Sequence, residues 1–496
     1  MLSDLGFLEN GQPWPPKDEE ARLARTTANI DIYGGGRAAF TRMRLWLDKD
    51  LEAKDKKIHI KVDLPKKAAD VVINGALPEL IIGMPSSGED ETDARADDLA
   101  AWIDDERFYV TIEEVGIDWC RCGAGLAKIS RTKDTVRVRS IRPDHWIPVC
   151  YPDDDRVYQH HVVWAEKTEG PDGSERTWLK MEIHSEDSIE YRLYKITESK
   201  KLERHDLSER PDWFGDYDLR GDVQQVPGWC IFPVWNSRSS DQDYGRPDAA
   251  FSDTGLSLAE SIEMALSQRR YNHHCHSKPV TIVNSDIANR DPYTDREKVD
   301  LEKPILLQMD AGKASDAASF IAPPLDSSSL ITEEVRDLLS MFVNVTGLSA
   351  AMISGVDSAN VSSGRALMLE LTPTMDHLRR FRAAFWAEIP AILEAASRLA
   401  TPASGLPAIT ADDIELTWEL SLATDPTETA ARLEVLTRSK IISTQQALRE
   451  LGYDAETIDR IIDELAEEAR AGAVETPALP PLALGMGEEE EGGEEE

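Results

Sequence analysis

The chain has 496 residues, a formal net charge of -37, 41% hydrophobic residues and five cysteines. That length allows several domains and a sizeable buried core, while the acidity argues against a protein that grips DNA through its phosphates. No run of about 18 uncharged apolar residues predicts a membrane span, and Cys120, Cys122, Cys150, Cys230 and Cys275 are too scattered for a disulfide scaffold.

The opening MLSDLGFLENGQPWPPKDEE lacks the basic-then-apolar layout of a secretory leader, so synthesis in a reducing cytoplasm is the expectation. The acidity itself has two readings: solubility, or a wall past which DNA slides without sticking. Composition does not choose between them.

Residues 17–28 predict a short charged helix leading to a break at Gly34, Gly35 and Gly36, with a polar helical region following to about Asp63. LPKKAADVVINGALPELIIGMP predicts a helix ending near Gly75 with a short apolar extension. SSGEDETDARADD predicts a solvated acidic loop or helix start. From about residue 124 to 234 the alternating, Val-, Ile-, Trp- and Tyr-rich pattern predicts an antiparallel β region, with GDYDLRGDVQQVPG as an exposed excursion.

At Asp253 the period becomes helical through Leu258, Ile262, Ala265 and Leu266, with a Ser257-to-Glu260 capping box at its start. SKPVTIVNS, PILLQMD and SFIAPP predict an insert of short strands and Pro-rich turns over about 276–326. Ile331, Val335, Leu338, Phe342 and Val345 then mark a second helix. The glycine- and serine-rich TGLSAAMISGVDSANVSSG predicts a mobile connection. Leu367, Leu371, Met375, Leu378, Phe381, Phe385, Ile389 and Ile392 mark a far longer helix, and Pro373 and Pro390 inside it predict a kink near Thr372. At about 1.5 Å per residue the segment 363–400 spans over about 50 Å. It needs packing partners along its length, most simply copies of itself in a ring. DIELTWEL predicts a last strand, a small helical module follows, and the Pro- then Glu-rich tail 471–496 predicts disorder.

Candidate chemistry is sparse. His273, His274 and His276 with Cys275 form the one dense group of metal-ligand types, but four adjacent residues surround a tetrahedral ion poorly, and a polar helix end explains them as well. Cys120 and Cys122 have one residue between them, unlike a redox or zinc pair, and are expected on a strand edge. Gly34 to Arg37 reads as a turn, Ser363-Gly-Arg365 lacks the strand that a nucleophile elbow needs, and Asp153, Asp154 and Asp155 read as a turn between strands. No nucleophile with a base and no paired acid and base emerge, so the expectation is a protein that is not an enzyme. Arg379, Arg380 and Arg382 form a basic group on the long helix. It reads either as an ordinary salt-bridged surface or as a contact with phosphates or an acidic neighbour.

The motifs IYGGGRA, LPKKAADVVINGAL, GLAKI with RPDHWIPV, DTGLSLAESIEMAL with SKPVTIV, VTGLSAAMISG with SSGRALMLEL, and SKIISTQQALRELGY follow one another in an order that resembles the portal proteins of tailed double-stranded DNA phages, of the type common in phages of Gram-positive hosts. The resemblance covers about residues 25–470. It implies an α+β, multidomain portal fold assembled as a ring oligomer, a dodecamer. A β-rich wing would occupy 1–252, stem helices 253–274 and 328–346, a small α/β clip 275–327, a tunnel loop 347–361, a long kinked helix 362–404, a helical crown 405–470 and an acidic tail 471–496. The tunnel-loop residues Leu348, Ser349, Met352, Ser354, Asp357, Asn360 and Arg365 would then face DNA. Asn284, Asp286, Arg290, Asp291 and Lys298 of the clip would face the terminase large subunit and later a head-completion adaptor. The resemblance further implies transient, non-specific contact with double-stranded DNA, major capsid and scaffolding proteins as partners, no membrane, no cofactor and no metal, and a place at the portal vertex of the virion. The acidic balance and Glu-rich tail depart from the family pattern. Two rival classes are a metal-dependent hydrolase built on His273, His274 and His276, and another scaffolding or structural protein of the virion.

Overall fold

A computed structural model describes residues 11–50, 58–77, 80–85, 90–133, 135–150, 157–169, 175–236, 246–276, 280–283, 307–308, 318–321, 326–354, 364–401 and 404–418, and beyond these positions 433, 437–439, 443–450, 457–458 and 460–462. The chain divides into two compact units, Met1–Leu420 and Ser421–Glu496.

Helix α1 (Lys17–Tyr33) opens with Asp18, Glu19 and Glu20, which suit the positive end of a helix dipole, and stops at the glycines, where Gly35 takes φ +86°. Among the described residues, the polar helix expected to follow comprises α2 (Thr41–Leu45) and one wider turn over Trp46–Asp50, and residues 59–63 are not helical. This stretch lacks a repeating apolar stripe of its own and takes its order from a helix far along the chain. Next come α3 (Leu64–Ala76), β1 (Leu80–Gly83), α4 (Asp90–Glu106) and α5 (Phe108–Cys122). Cys120 and Cys122 lie in the last turn of α5, not on a strand edge. Gly123, at φ +87°, ends the helix after them and the strand begins one residue later. Burial pushes both thiols well above their usual range.

The β region comprises β2 (Ala124–Arg131), β3 (Val136–Ser140), β4 (Trp146–Cys150), β5 (Val157–Glu169), β6 (Glu175–His184), β7 (Ser188–Ile196), β8 (Leu202–His205), a turn of helix α6 (Pro211–Phe214), β9 (Val223–Gln225) and β10 (Ile231–Trp235). They form two antiparallel sheets, β10-β2-β3 and β4-β5-β6-β7-β8, with β9 beside β7. The expected exposed excursion is in part a cover. Phe214 is buried, β9 joins the sheet, and the Tyr217 ring lies 4.9 Å from Tyr191.

Leu126, Ile141, Trp146, Val162 and Ile231 pack between the two sheets. A charged bridge crosses the same space: Lys128 Nζ donates to Glu182 Oε2 at 2.5 Å, and His184 and Lys180 also lie within 3.2 Å of that carboxylate. Burial alone would raise the Glu182 carboxyl, but Lys128, His184 and Lys180 outweigh it and hold it well below the usual range. Nearby, Trp146 Nε1 donates to His160 Nδ1 at 3.1 Å, which requires that nitrogen to be unprotonated. Burial, then the neighbouring His184 and His161, pushes His160 down to about 3. Burial, Arg192 and His184 do the same to His161, also to about 3.

The second half of the first unit begins with α7 (Asp253–His276) and the short strands β11 (Val280–Val283), β12 (Leu307–Gln308) and β13 (Ala318–Ile321), which form a sheet in the order β12-β11-β13. Helices α8 (Asp326–Thr346), α9 (Ala350–Ser354) and α10 (Gly364–Leu399) follow, then β14 (Glu415–Trp418), which pairs antiparallel with β1. The second unit contains α11 (Thr444–Glu450), with Leu433, Ala447 and Ile458 buried.

Helix α10 continues through Pro373 and Pro390 for 36 residues. Its stripe of Leu378, Phe381, Phe385, Ile389, Ile392 and Leu393 is buried against α3, α5 and the β2-β3-β10 sheet. Residues 375–399 therefore find their packing partners in their own chain, where the sequence suggested neighbouring copies. Contact is close enough that a Cβ on Gly116 of α5 would sit 3.0 Å from Phe381 Cζ, and one on Gly75 of α3 would sit 3.0 Å from Leu378 Cδ1.

Two expectations follow from this packing. Gly116→Val overfills the α5–α10 contact and lowers stability by about 1–3 kcal/mol, more than Gly116→Ala; urea unfolding midpoints check it, and equal midpoints for wild type and the valine variant contradict it. The second concerns acid. His160 and His161 are neutral in the fold but take protons near 6.5 when unfolded. Their contribution is complete above about 6.5 and lost as pH falls toward about 3. The depressed Glu182 carboxyl adds loss in the same direction below its ordinary value of 4.5. Melting temperature measured by circular dichroism should fall steadily from about pH 7 to 5; a flat profile contradicts the account.

Candidate functional site

The site is built on α7, α8, α9 and the start of α10. Helix α7 begins at Asp253, four residues before the expected capping box. Ser252 caps it instead, its Oγ accepting from the Gly255 N–H at 3.2 Å. Glu260, the expected box partner, turns elsewhere: its carboxylate accepts from the Met43 N–H at 2.8 Å and from Arg42 Nε at 3.0 Å.

Glu260 begins a polar stripe. One turn on, Glu263 takes both Arg37 Nε (2.8 Å) and Nη2 (2.7 Å), and its Oε1 also accepts from the Val62 and Asp63 N–H groups. Ser267 Oγ accepts from the Ile60 N–H at 2.9 Å. Glu260, Glu263 and Ser267 are buried and share one face of α7 at three- and four-residue spacing. That face clasps residues 37–63, and its carboxylates supply the partners this non-repeating segment lacks locally. The sequence carried a signal for this, Glu260, Glu263 and Ser267 recurring at helical spacing beside the apolar stripe of Leu258, Ile262 and Ala265, which the capping-box reading absorbed.

Beyond Ser267 the helix emerges, and His273 is exposed. Helix α8 shows the converse: Leu330 is 64% exposed near its start, while Phe342 is 0% exposed near its end. The two helices pack on each other and carry the β11–β13 sheet at their outer ends. Met341 and Val345 are exposed on α8.

After α8, Gly347 turns the chain at φ +67°. The segment expected as a loop then forms α9, because Ser349 Oγ caps the Ala351 N–H at 3.2 Å and the following alanines favour helix. The Ser349 N–H donates to Thr374 Oγ1 of α10 at 2.8 Å. Leu348, Ser349 and Ile353 are buried and hold the segment to its own chain, while Met352 is 39% exposed. Ser354 ends α9 and Arg365 lies in the first turn of α10. Asp357, Asn360, the clip residues Asn284, Asp286, Arg290, Asp291 and Lys298, the Asp153–155 run and the tail 471–496 lie outside the described residues.

Each arginine of the basic group has a partner within the chain. Arg379 pairs with Asp376 at 2.8 Å, Arg380 approaches Asp248 at 3.6 Å, and Arg382 donates to the Trp418 carbonyl at 3.4 Å with its guanidinium over that ring. Asp248 is a node. It also receives His377 Nε2 at 3.2 Å and Asn236 Nδ2 at 2.8 Å, and its own N–H donates to the Cys120 carbonyl. It ties α10 to α5 and to the root of α7.

His273 to His276 occupy consecutive positions of one continuous helix. Among the described residues no group of three His, Cys, Asp or Glu is placed to hold a metal ion, and no helix is long and apolar enough to cross a membrane.

These elements define a protein of mixed helix and sheet. The family described as phage portal protein, SPP1 Gp6-like, matches residues 16–471, and the chain belongs to that family. Its function is accordingly that of a portal, a structural component of the virion at the portal vertex of the capsid. No curated protein matches the chain. Among solved structures, the neck of an empty GTA particle computed with C6 symmetry is similar over 90% of this chain and 96% of that chain, at 13% identity and a TM-score of 0.36. The neck of a native GTA particle computed with C12 symmetry is similar over the same shares at 14% identity and a TM-score of 0.32. The virion of a native gene transfer agent particle is similar at 14% identity and a TM-score of 0.28. The assignment rests on the family match alone.

Removing the Glu263 carboxylate leaves the Arg37 guanidinium, only 9% exposed, with Asp63 and the Gly36 carbonyl, and takes the acceptor from the Val62 N–H. Glu263→Ala is expected to cost about 1–3 kcal/mol and to speed amide exchange across residues 37–63 relative to α5. Hydrogen-exchange mass spectrometry checks this; unchanged protection of 37–63 contradicts the clasp.

Proposed function

We propose that this portal protein assembles as a ring, a dodecamer, whose central opening passes double-stranded DNA into the capsid during packaging and out of it on ejection. Helices α7 and α8 form the stem, residues 275–327 the clip, 347–361 the tunnel loop, the β-rich region before residue 253 the wing, α10 the long helix beneath it and residues after about 405 the crown. One refinement is supported by β14: it pairs with β1, so the strand at the start of the crown range belongs with the first unit. The terminase large subunit and later an adaptor dock on the clip, capsid and scaffolding proteins surround the wing, and ATP hydrolysis belongs to the terminase.

The observation that carries this reading is the run from α7 to α10. Two helices lose burial together toward a small sheet, then return to a helix of 36 residues through a segment without Lys or Arg. A channel for moving DNA works best with few phosphate contacts, since each one releases counterions and becomes a trap. The exposed Met352 offers a brief van der Waals contact instead, while the Ser349–Thr374 hydrogen bond holds the base of the loop. Asp357 adds repulsion, and Arg365 sits at the far edge. The exposed apolar residues Leu330, Met341 and Val345 on α8 support burial against a neighbouring subunit.

Deletion of residues 284–317 separates the clip from the rest. Rings should persist by sedimentation while packaging of DNA into proheads is lost. Packaging that survives the deletion contradicts the clip assignment.

A further inference from the structure

The outward face of α10 carries a group that its own chain does not cover. Trp386 is 53% exposed, and its ring rests on Trp418 of β14 with centroids 6.2 Å apart, so the indole is held in place before any partner arrives. Arg379, seven residues earlier, lies on the same side of the helix and is more than half exposed despite its partner Asp376; Arg380, about 120° around the helix from Trp386, is also more than half exposed despite its partner Asp248. An ordered tryptophan beside arginines is the composition of an interface hot spot. In a chain of net charge -37 it is also an unusual place where a second acidic surface meets attraction and not repulsion.

The same chain carries a matching surface. On α4, Asp97, Asp98, Asp104 and Asp105 are exposed, and their seven-residue spacing puts them on one face. Both helices abut the same short segment. Arg95 of α4 donates to the Ala408 carbonyl at 2.6 Å and lies 3.4 Å from Asp413. Glu394 of α10 accepts from the Ala411 N–H at 3.2 Å, and Trp386 leans on β14 just beyond. The helices that carry the two faces therefore both abut residues 408–418.

We propose that the Trp386 face of α10 docks on the acidic face of α4 in a second copy of this chain, a proposal that rests on the ring reading above. The two faces differ, so the contact is head-to-tail, and its repetition builds a ring when the rotation between copies closes, not a two-fold dimer.

Charge exchange tests the pairing. Arg379→Glu/Arg380→Glu and, separately, Asp104→Lys/Asp105→Lys are each expected to raise the concentration needed for half-assembly by at least about tenfold, read by sedimentation velocity and native mass spectrometry. All four substitutions in one chain should bring assembly back toward wild type. Because Arg380 touches Asp248, Trp386→Ser serves as an independent variant that breaks no internal ion pair and should weaken assembly similarly, with an unfolding midpoint near wild type. Rings that form normally in both the Asp104/Asp105 and Trp386 variants overturn the pairing and leave the ring itself standing. Weakened single-face variants that the four-fold exchange does not rescue overturn α4 as the partner, and point to DNA or another protein as the occupant. A wild-type chain that stays monomeric at every concentration overturns the ring reading instead.

Discussion

The position of nearly every element depends on burial of one stripe of α10. Phe381 and Phe385 stack with centroids 4.4 Å apart, Trp119 of α5 meets Phe381 edge-on at 5.0 Å, and Ile389, Ile392 and Leu393 continue the contact with no exposure. Each such side chain contributes about 1.5–3 kcal/mol when fully buried, so the stripe as a whole fixes α10 in register on the body. Glycines at 75 and 116 let α3 and α5 approach it closely. Once α10 is fixed, Thr374 is fixed, and with it the Ser349 N–H and the start of the segment proposed to line the channel. The apolar core of the body thereby sets the place of a loop outside it.

Polar groups then settle orientation where apolar packing is indifferent. Glu182, Glu260, Glu263 and Asp248 are all buried carboxylates, and each is met by several donors. An ion pair of this kind adds little net stability over an apolar pair but is costly to break from one side, so it specifies which segments belong together. Glu182 joins the two sheets. Glu260 and Glu263 hold the 37–63 segment on α7, and Asp248 joins α10, α5 and the root of α7. The proposed stem therefore has a rooted end stitched by charges and an outer end that is nearly bare, the arrangement expected of an element whose outer surface meets other proteins.

Much of this was legible in the chain because it is periodic. The eight apolar residues from Leu367 to Ile392 announced α10, the alternation from residue 124 to 234 announced an antiparallel β region, and the order of motifs announced the portal family. What escaped depends on residues distant in sequence. The 37–63 segment pairs with a helix some 200 positions later, so its local polarity suggested a helix reaching Asp63, where residues 59–63 are not helical. Cys120 and Cys122 were misplaced because the helix-ending signal was a single glycine after them. Leu348 and Ser349 looked like loop residues, yet Ser349 caps α9 with its Oγ and donates its own N–H to Thr374 Oγ1, 25 residues on. The arginines of α10 were legible as a basic group, but their partners Asp248 and Trp418 were not, since neither is near them in sequence.

Electron cryomicroscopy of the purified oligomer bears most directly on the central claim that the α8–α9–α10 run faces a DNA channel. The account predicts a ring with a central opening wide enough for a duplex, α7 and α8 lining it, and Met352 and the 355–363 segment at its narrowest point. A particle without a central opening, or a ring in which Met352 lies on the outer wall, contradicts it.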